Sequence, residues 1–299
     1  MVVRLIGAGA VGLSVAAKLC NVSDFALIAD SIRYERYKKG IIYNGTPLEL
    51  RVLTPEMADM KADIIIVAVK NFQLEEVLDE IAPFVKDSTV ILSLLNGIEA
   101  EEVLSSRFGR EKLLYSFITD LSSNHSENET TCFHEGTIVF GEKDNKKSAR
   151  VLELASLFER AGQHYEIPDD IIHSKWWKFM LNTCFNTLSA ILIADYYSIH
   201  DNEAFIKAVK MIASEVQSVA LSESVILTQD DIEEMIRRLC RLKDHGMTSM
   251  LQDLLAHRKT ENMYFAGAVS RLGQKNGIST PICDFSALLL EAKRHVHNC

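Results

Sequence analysis

Residues 1–19 read MVVRLIGAGAVGLSVAAKL, an apolar run, a glycine cluster and a second apolar run in that order. Val2 to Ile6 stops at Gly7, as a strand buried on both faces of a parallel sheet does. Val11 to Leu19 has helical spacing, with Ala16 and Ala17 small enough for close packing. Between them, Gly7-Ala8-Gly9-Ala10-Val11-Gly12 is a GxGxxG sequence. The pattern alone is weak, because glycines recur by chance. Its position between strand and helix makes it specific: the first glycine permits the tight turn, the second lets the backbone approach a pyrophosphate, and the third lets helix and strand pack closely. The helix N-terminus then offers N–H groups to the anion. A tight turn with no ligand is the plainer alternative. The stretch predicts a dinucleotide-binding strand–turn–helix, with residues 7–12 as its cofactor contacts.

The same alternation continues outward. Phe25 to Ala29 is a second apolar run, ended by Asp30, and DIIIVAV (63–69) and TVILSLL (89–95) are too hydrophobic to face water on either side. Leu74 to Phe84 has helical spacing. Strands alternating with helices predict an α/β, Rossmann-type parallel sheet covered on both faces. Ser122 to Thr131 is polar and reads as a surface loop. Thr137 to Phe140 reads as a late strand, Val151 to Ala161 as a helix and Tyr165 to Ile167 as a last short strand. Pro168-Asp169-Asp170 suits a helix start. Beyond it helical periodicity runs almost throughout, with Pro281 as the single proline. The expected organisation is a cofactor domain over 1–167 and an all-helical domain over 168–299, which carries substrate binding and catalysis.

A chain of 299 residues has room for two cores. Its formal net charge of -9 argues against an extended nucleic-acid surface, which needs a local excess of Lys and Arg. A small molecule is the expected partner. Six scattered cysteines (Cys20, Cys132, Cys184, Cys240, Cys283, Cys299), without CxxC spacing, read as reduced thiols and not as a disulfide framework or metal site. The histidines show no metal spacing either. The chain enters its glycine motif too early for a leader peptide. Its apolar runs fall short of the ~20 residues of a membrane helix. A cytoplasmic protein without membrane contact is expected.

Several polar residues stand where α/β sheets bind ligands. Asp30 follows the second strand, 23 positions after Gly7, near where an acid accepts the ribose hydroxyls of NAD and would repel the 2′-phosphate of NADP. Arg33 and Arg36 follow closely and are able to bind that phosphate, or are simply solvated; the residues leave NADH and NADPH open. Lys70 in VAVKNFQ and Asn96 in LLNGIE end later strands and can approach cofactor or substrate, their plainer readings being a solvated lysine and an Asn-Gly turn. In HSKWWKFMLNTCFNTLSAIL (173–192), Lys178, Asn182 and Asn186 are four apart and share one helix face. A helix otherwise so apolar is expected to be buried, with these polar groups facing a cleft, and such lysines recur as catalytic acids and bases. In TSMLQDLLAHRKTENMYFAG (248–267), Ser249 either caps a helix or meets a ligand. Glu261 lies beside an apolar stretch where it can partner Lys178 or the cofactor, the alternative being an exposed acid beside Arg258. Asp253 and Arg258 read as a structural ion pair.

Taken together, GAGAVG, VAVKNFQ, LLNGIE, KWWKFMLNTCFN and TSMLQDLLAHRKTE resemble the ketopantoate reductase (2-dehydropantoate 2-reductase) family in order and spacing, across residues 7–261, and NGISTP (276–281) also fits. The resemblance implies a Rossmann domain followed by a helical domain like the C-terminal one of 6-phosphogluconate dehydrogenase. It implies NADP(H)-dependent reduction of the 2-oxo acid ketopantoate to pantoate, toward pantothenate and coenzyme A. It also implies Lys178 as general acid with Glu261 beside it, Asn182, Asn186 and Ser249 as substrate contacts, Lys70 and Asn96 as cofactor contacts with Asn96 also near substrate, and a homodimer. Departures are Asp30, where the family often has an arginine for the NADP phosphate; Gly246, where many members carry a substrate-contacting asparagine; Asp195-Tyr196-Tyr197, in a stretch commonly Asn- and Gly-containing; and the segment 122–131, which lacks a short glycine-containing loop. Another branched 2-oxo acid as substrate, or a dinucleotide sensor without turnover, are the competing readings.

Overall fold

Alternation with a period of two, inside runs of uninterrupted hydrophobic residues, builds the first half of the protein. In the computed structural model, which describes residues 1–58 and 60–296 with side chains as far as 293, β1 (Val2–Ile6) pairs in parallel with β2 (Asp24–Ile28) on one side and with β6 (Ile64–Val67) on the other. Cys299 lies outside the described residues. Val3 and Leu5 enter one core with helices α1 (Ala10–Leu19) and α5 (Ala149–Ala161); Ile6 enters the opposite core with α3 (Leu74–Ile81) and α4 (Ala100–Phe108). Arg4, inside the first strand, is fully buried. Its Nη1 donates to the Val3 and Asp24 carbonyls at 3.0 and 2.8 Å and pairs with the Asp24 carboxylate at 3.3 Å, which offsets part of the cost of burying its charge.

The parallel stretch runs β5 (Val52–Leu53), β2, β1, β6, β7 (Val90–Ser93), β8 (Leu113–Ser126). Between β2 and β5 the chain forms α2 (Ser31–Tyr37) and the two-residue strands β3 (Ile42–Tyr43) and β4 (Thr46–Pro47). Strand order reverses at β1, so the turns after β1, β2, β6 and β7 gather at one sheet edge, the place where such sheets take ligands.

The sheet is mixed and not parallel throughout. Residues 122–131, expected as a loop, are the far end of an antiparallel hairpin between β8 and β9 (Glu129–Gly141), paired from Tyr115↔Gly141 to Ser126↔Glu129 with one register shift between Ser122 and Ser123. Thr137 to Phe140 is only the last part of β9. Polar composition misled here: the distal half of β8 alternates half-buried and exposed residues, because it keeps one face in water, and backbone pairing does not require apolar side chains. β9 also pairs with β3 and with β10 (Tyr165–Glu166), both in parallel.

The chain divides into two compact units, Met1–Ile171 and the residues from Ile172 onward. The described part of the second is helical: α6 (Ile171–Leu192), α7 (Tyr196–Ile199), α8 (Glu203–Ser222), α9 (Gln229–Arg241), α10 (Ser249–Leu255), α11 (Ala266–Asn276) and α12 (Pro281–Val296). Among the described residues no helix is long and apolar enough to cross a membrane.

Candidate functional site

The three motif glycines have different reasons to be glycine. Gly7 has φ +102°, and a β-carbon there would overlap the Ala68 carbonyl; one at Gly12 would overlap the Gly7 carbonyl oxygen. The protein's own backbone therefore demands the first and third. Gly9 is different. A β-carbon there would meet nothing within 4 Å, and Gly9 is the N-cap of α1 with no side-chain cap. Open space before an uncapped helix start is what a pyrophosphate requires and what the fold does not, so these residues fit a dinucleotide. Ala8 is buried beside the turn, and Ala10 and Val11 begin α1 half-buried.

Asp30 caps α2, accepting the Arg33 N–H at 2.6 Å, and its second oxygen pairs with Arg33 Nε at 3.0 Å. Arg33 Nη2 also lies 3.9 Å from Glu80 of α3; burial pushes the Glu80 carboxyl up, with Arg33 opposing the shift. Arg36 Nη2 donates to the Tyr37 hydroxyl at 3.1 Å, and its guanidinium lies 5.0 Å from that ring's centroid. Arg33 is committed to two carboxylates, whereas Arg36 is exposed and touches the neighbouring Tyr37 ring. Glu80 escapes sequence reading because it comes from a different element.

Lys70 follows β6, its backbone N–H donating to Gln73 Oε1 at 3.2 Å. The next residue, buried Asn71, donates from Nδ2 to the Asn96 carbonyl at 2.9 Å. It ties the turn after β6 to the turn after β7. Gly97, at φ +88°, completes the Asn-Gly turn, which holds the half-buried Asn96 in place. Asn71 was missed; only its adjacency to Lys70 pointed to it.

In the helical unit, α6 carries a polar face. Asn182 and Asn186 are buried, and Lys178 is half-buried on the same side. Lys175, three residues earlier on that face, is the more enclosed lysine at 3% exposure; its seven-residue spacing to Asn182 was the available signal. Asn186 Nδ2 donates to Ser249 Oγ at 3.4 Å. Thr248, and not Ser249, caps α10, accepting the Leu251 N–H at 3.3 Å while sharing a 2.6 Å hydrogen bond with Ser189 of α6. Ser249 is left as the first helical residue with its hydroxyl toward Asn186. Glu261 is buried, not an exposed acid. Asp253 and Arg258 pair with each other at 2.8 Å, the structural role expected of them.

Comparison with known proteins bears on both units. The chain matches the family described as ketopantoate reductase PanE/ApbA over residues 3–145, and that family's C-terminal region over residues 170–294. A 2-dehydropantoate 2-reductase of Streptococcus pyogenes is 26% identical, across 100% of this chain and 99% of that protein; one of Pyrococcus horikoshii is 27% identical across 98% and 97%. Among solved structures, a D-mandelate dehydrogenase with NADH and anilino(oxo)acetate has TM-score 0.90 and 28% identity across 100% of both chains. A 2-dehydropantoate 2-reductase of Geobacter metallireducens has TM-score 0.86 and 26% identity, across 98% and 99%.

Proposed function

The chain belongs to the ketopantoate reductase family, and we propose that this member reduces the carbonyl of a small 2-oxo acid to a hydroxyl with NADH. The observation that carries the reading is the row Lys178, Asn182, Asn186 along α6, joined at its end to Ser249 by the 3.4 Å hydrogen bond from Asn186. A proton donor and neutral hydrogen-bonding groups in one row suit a carbonyl and the carboxylate next to it.

Residues 7–12, Asp30, Lys70 and Asn96 hold the dinucleotide, which when bound supplies a hydride to C2. The carbonyl oxygen then gains negative charge. Lys178 stabilises that charge and passes it a proton from Nζ, general-acid work of ~10²–10⁴-fold. Glu261, buried in the same unit, favours the charged lysine. Asn182, Asn186 and Ser249 orient the substrate, with Asn96 near it. Asp30 supports NADH over NADPH: it follows β2, where an acid accepts the ribose hydroxyls of NAD, and its carboxylate already holds Arg33, so a 2′-phosphate there meets repulsion and a committed arginine.

Ketopantoate is the substrate that the names of the relatives suggest. A second reading, an aromatic 2-oxo acid, is favoured by the structural similarity to D-mandelate dehydrogenase. The test is a panel of 2-oxo acids assayed with NADH and with NADPH, on the wild type and Lys178→Ala. We expect NADH-dependent turnover that falls by ~10²–10⁴-fold in the variant, with NADH affinity changed by less than about threefold. Undiminished turnover in Lys178→Ala removes its role, and faster turnover with NADPH removes the cofactor reading.

A further inference from the structure

Two departures from the family pattern, 50 positions apart in sequence, touch in the structure. A β-carbon at Gly246 would sit 3.0 and 3.2 Å from Cδ2 and Cε2 of the Tyr196 ring, and 2.6 Å from Asp244 Oδ1. The ring occupies the place that a side chain at 246 would take. It is held there from several directions. The Tyr196 N–H donates to the Gly246 carbonyl at 2.9 Å. Asp195 caps α7 through the Ser198 N–H at 2.9 Å and accepts His245 Nδ1 at 2.7 Å. The Ala194 N–H donates to the Ser189 carbonyl at 3.0 Å, and Ser189 also holds Thr248. Residues 194–196 and 245–249 are thereby stitched to the C-terminal end of α6, where Asn186 meets Ser249.

Helical rise separates the Cα atoms of Lys178 and Asn186 by about 12 Å along one face of α6. A 2-oxo acid whose carbonyl meets Lys178 and whose other end runs along this face extends toward Asn186 and Ser249, to which the segments 194–196 and 245–249 are stitched. Burial pushes the Tyr196 phenol up to about 12, and the Asp244 carboxylate adds to the shift, so the ring is neutral at any working pH. An aromatic face without charge suits a flat hydrocarbon group.

We propose that Tyr196, seated against Gly246, is a specificity-determining residue that selects 2-oxo acids with a flat apolar group on the carbonyl carbon over those with a hydroxyl-bearing chain. The proposal rests on the 2-oxo acid reductase reading above. Its test is kcat/KM with NADH for phenylglyoxylate, ketopantoate and pyruvate, the last having no distal group. The wild type should favour phenylglyoxylate over ketopantoate. Tyr196→Ala should lower kcat/KM for phenylglyoxylate by roughly 10-fold or more while moving pyruvate by less than about threefold, and Tyr196→Phe should keep the wild-type preference. Gly246→Ala, which displaces the ring without altering it, should lose selectivity in the same direction and serves if Tyr196→Ala does not fold. A wild type that prefers ketopantoate, or equal losses on phenylglyoxylate and pyruvate, overturns the proposal while leaving a 2-oxo acid reductase. A wild type inert toward all three acids overturns the reductase reading itself.

Discussion

Single residues separate what the fold needs from what a ligand needs. Gly7 and Gly12 face backbone atoms where a β-carbon would go, whereas Gly9 faces open space. Gly7→Ala and Gly12→Ala should therefore prevent stable folding, the more so at Gly7 with its φ of +102°. Gly9→Val should melt within a few degrees of the wild type, roughly the span of a sub-kcal/mol change, yet bind NADH at least about 10-fold more weakly, since the added side chain fills the pyrophosphate's approach. Thermal melts paired with NADH titrations check both halves. A Gly9→Val protein with unaltered NADH affinity would mean that the open space is not a ligand's. The motif's spacing in sequence showed three glycines; only the surroundings of each show that one of them is unused by the protein itself. Lys175 is the opposite case, a lysine whose only mark in sequence is its seven-residue spacing to Asn182 and that packing encloses more fully than Lys178.

At the scale of elements, legibility followed burial. Strands covered on both faces, such as β1 and β6, announced themselves as apolar runs, while the distal part of the β8–β9 hairpin hid because its outer face is polar. The hairpin's other end is anchored by charge. Glu142, just after β9, accepts Arg150 Nε at 2.6 Å and Nη2 at 2.5 Å, and the Ser148 hydroxyl at 2.6 Å. Ser148 caps α5, and Arg150 also donates to the Glu111 and Leu113 carbonyls at the start of β8. The bidentate hydrogen bonds from Arg150, helped by Ser148, hold the Glu142 carboxyl below its usual range. A carboxylate with a depressed folded pKa stabilises fully above its unfolded value of about 4.3, and that contribution disappears as pH falls through the folded value. Glu142→Gln should accordingly lower Tm at pH 7, and the gap between variant and wild type should narrow progressively as pH falls below about 4.3. Melts across pH 3 to 7 would test it, and a gap that persists undiminished at the acid end would assign the effect to packing and not to charge.

Across the whole molecule, the change from alternating strands and helices to continuous helical periodicity was plain in sequence, because the two patterns have different periods. Which residues from distant segments meet was not, since Tyr196 with Gly246 or Asn71 with Asn96 depends on tertiary packing alone. The same division separates the roles proposed here: the glycine turn, Asp30, Lys70 and Asn96 lie in Met1–Ile171, and Lys178, Asn182, Asn186, Ser249 and Glu261 lie in the residues after it. The first unit has hydrophobic cores on both faces of its sheet. Ile171 packs within it, fully buried, with its N–H donating to Asn145 Oδ1 at 3.1 Å and its side chain near Gly141. A fragment ending at Ile172 keeps that anchor. It should melt cooperatively and gain about 2.7 kcal/mol at NADH concentrations 100-fold above its Kd, yet reduce no 2-oxo acid, since it lacks every proposed proton donor and substrate contact except Asn96. Turnover by the fragment would move the chemistry into the sheet unit and refute Lys178 as its acid; a cooperative melt unmoved by NADH would remove the dinucleotide from the glycine turn.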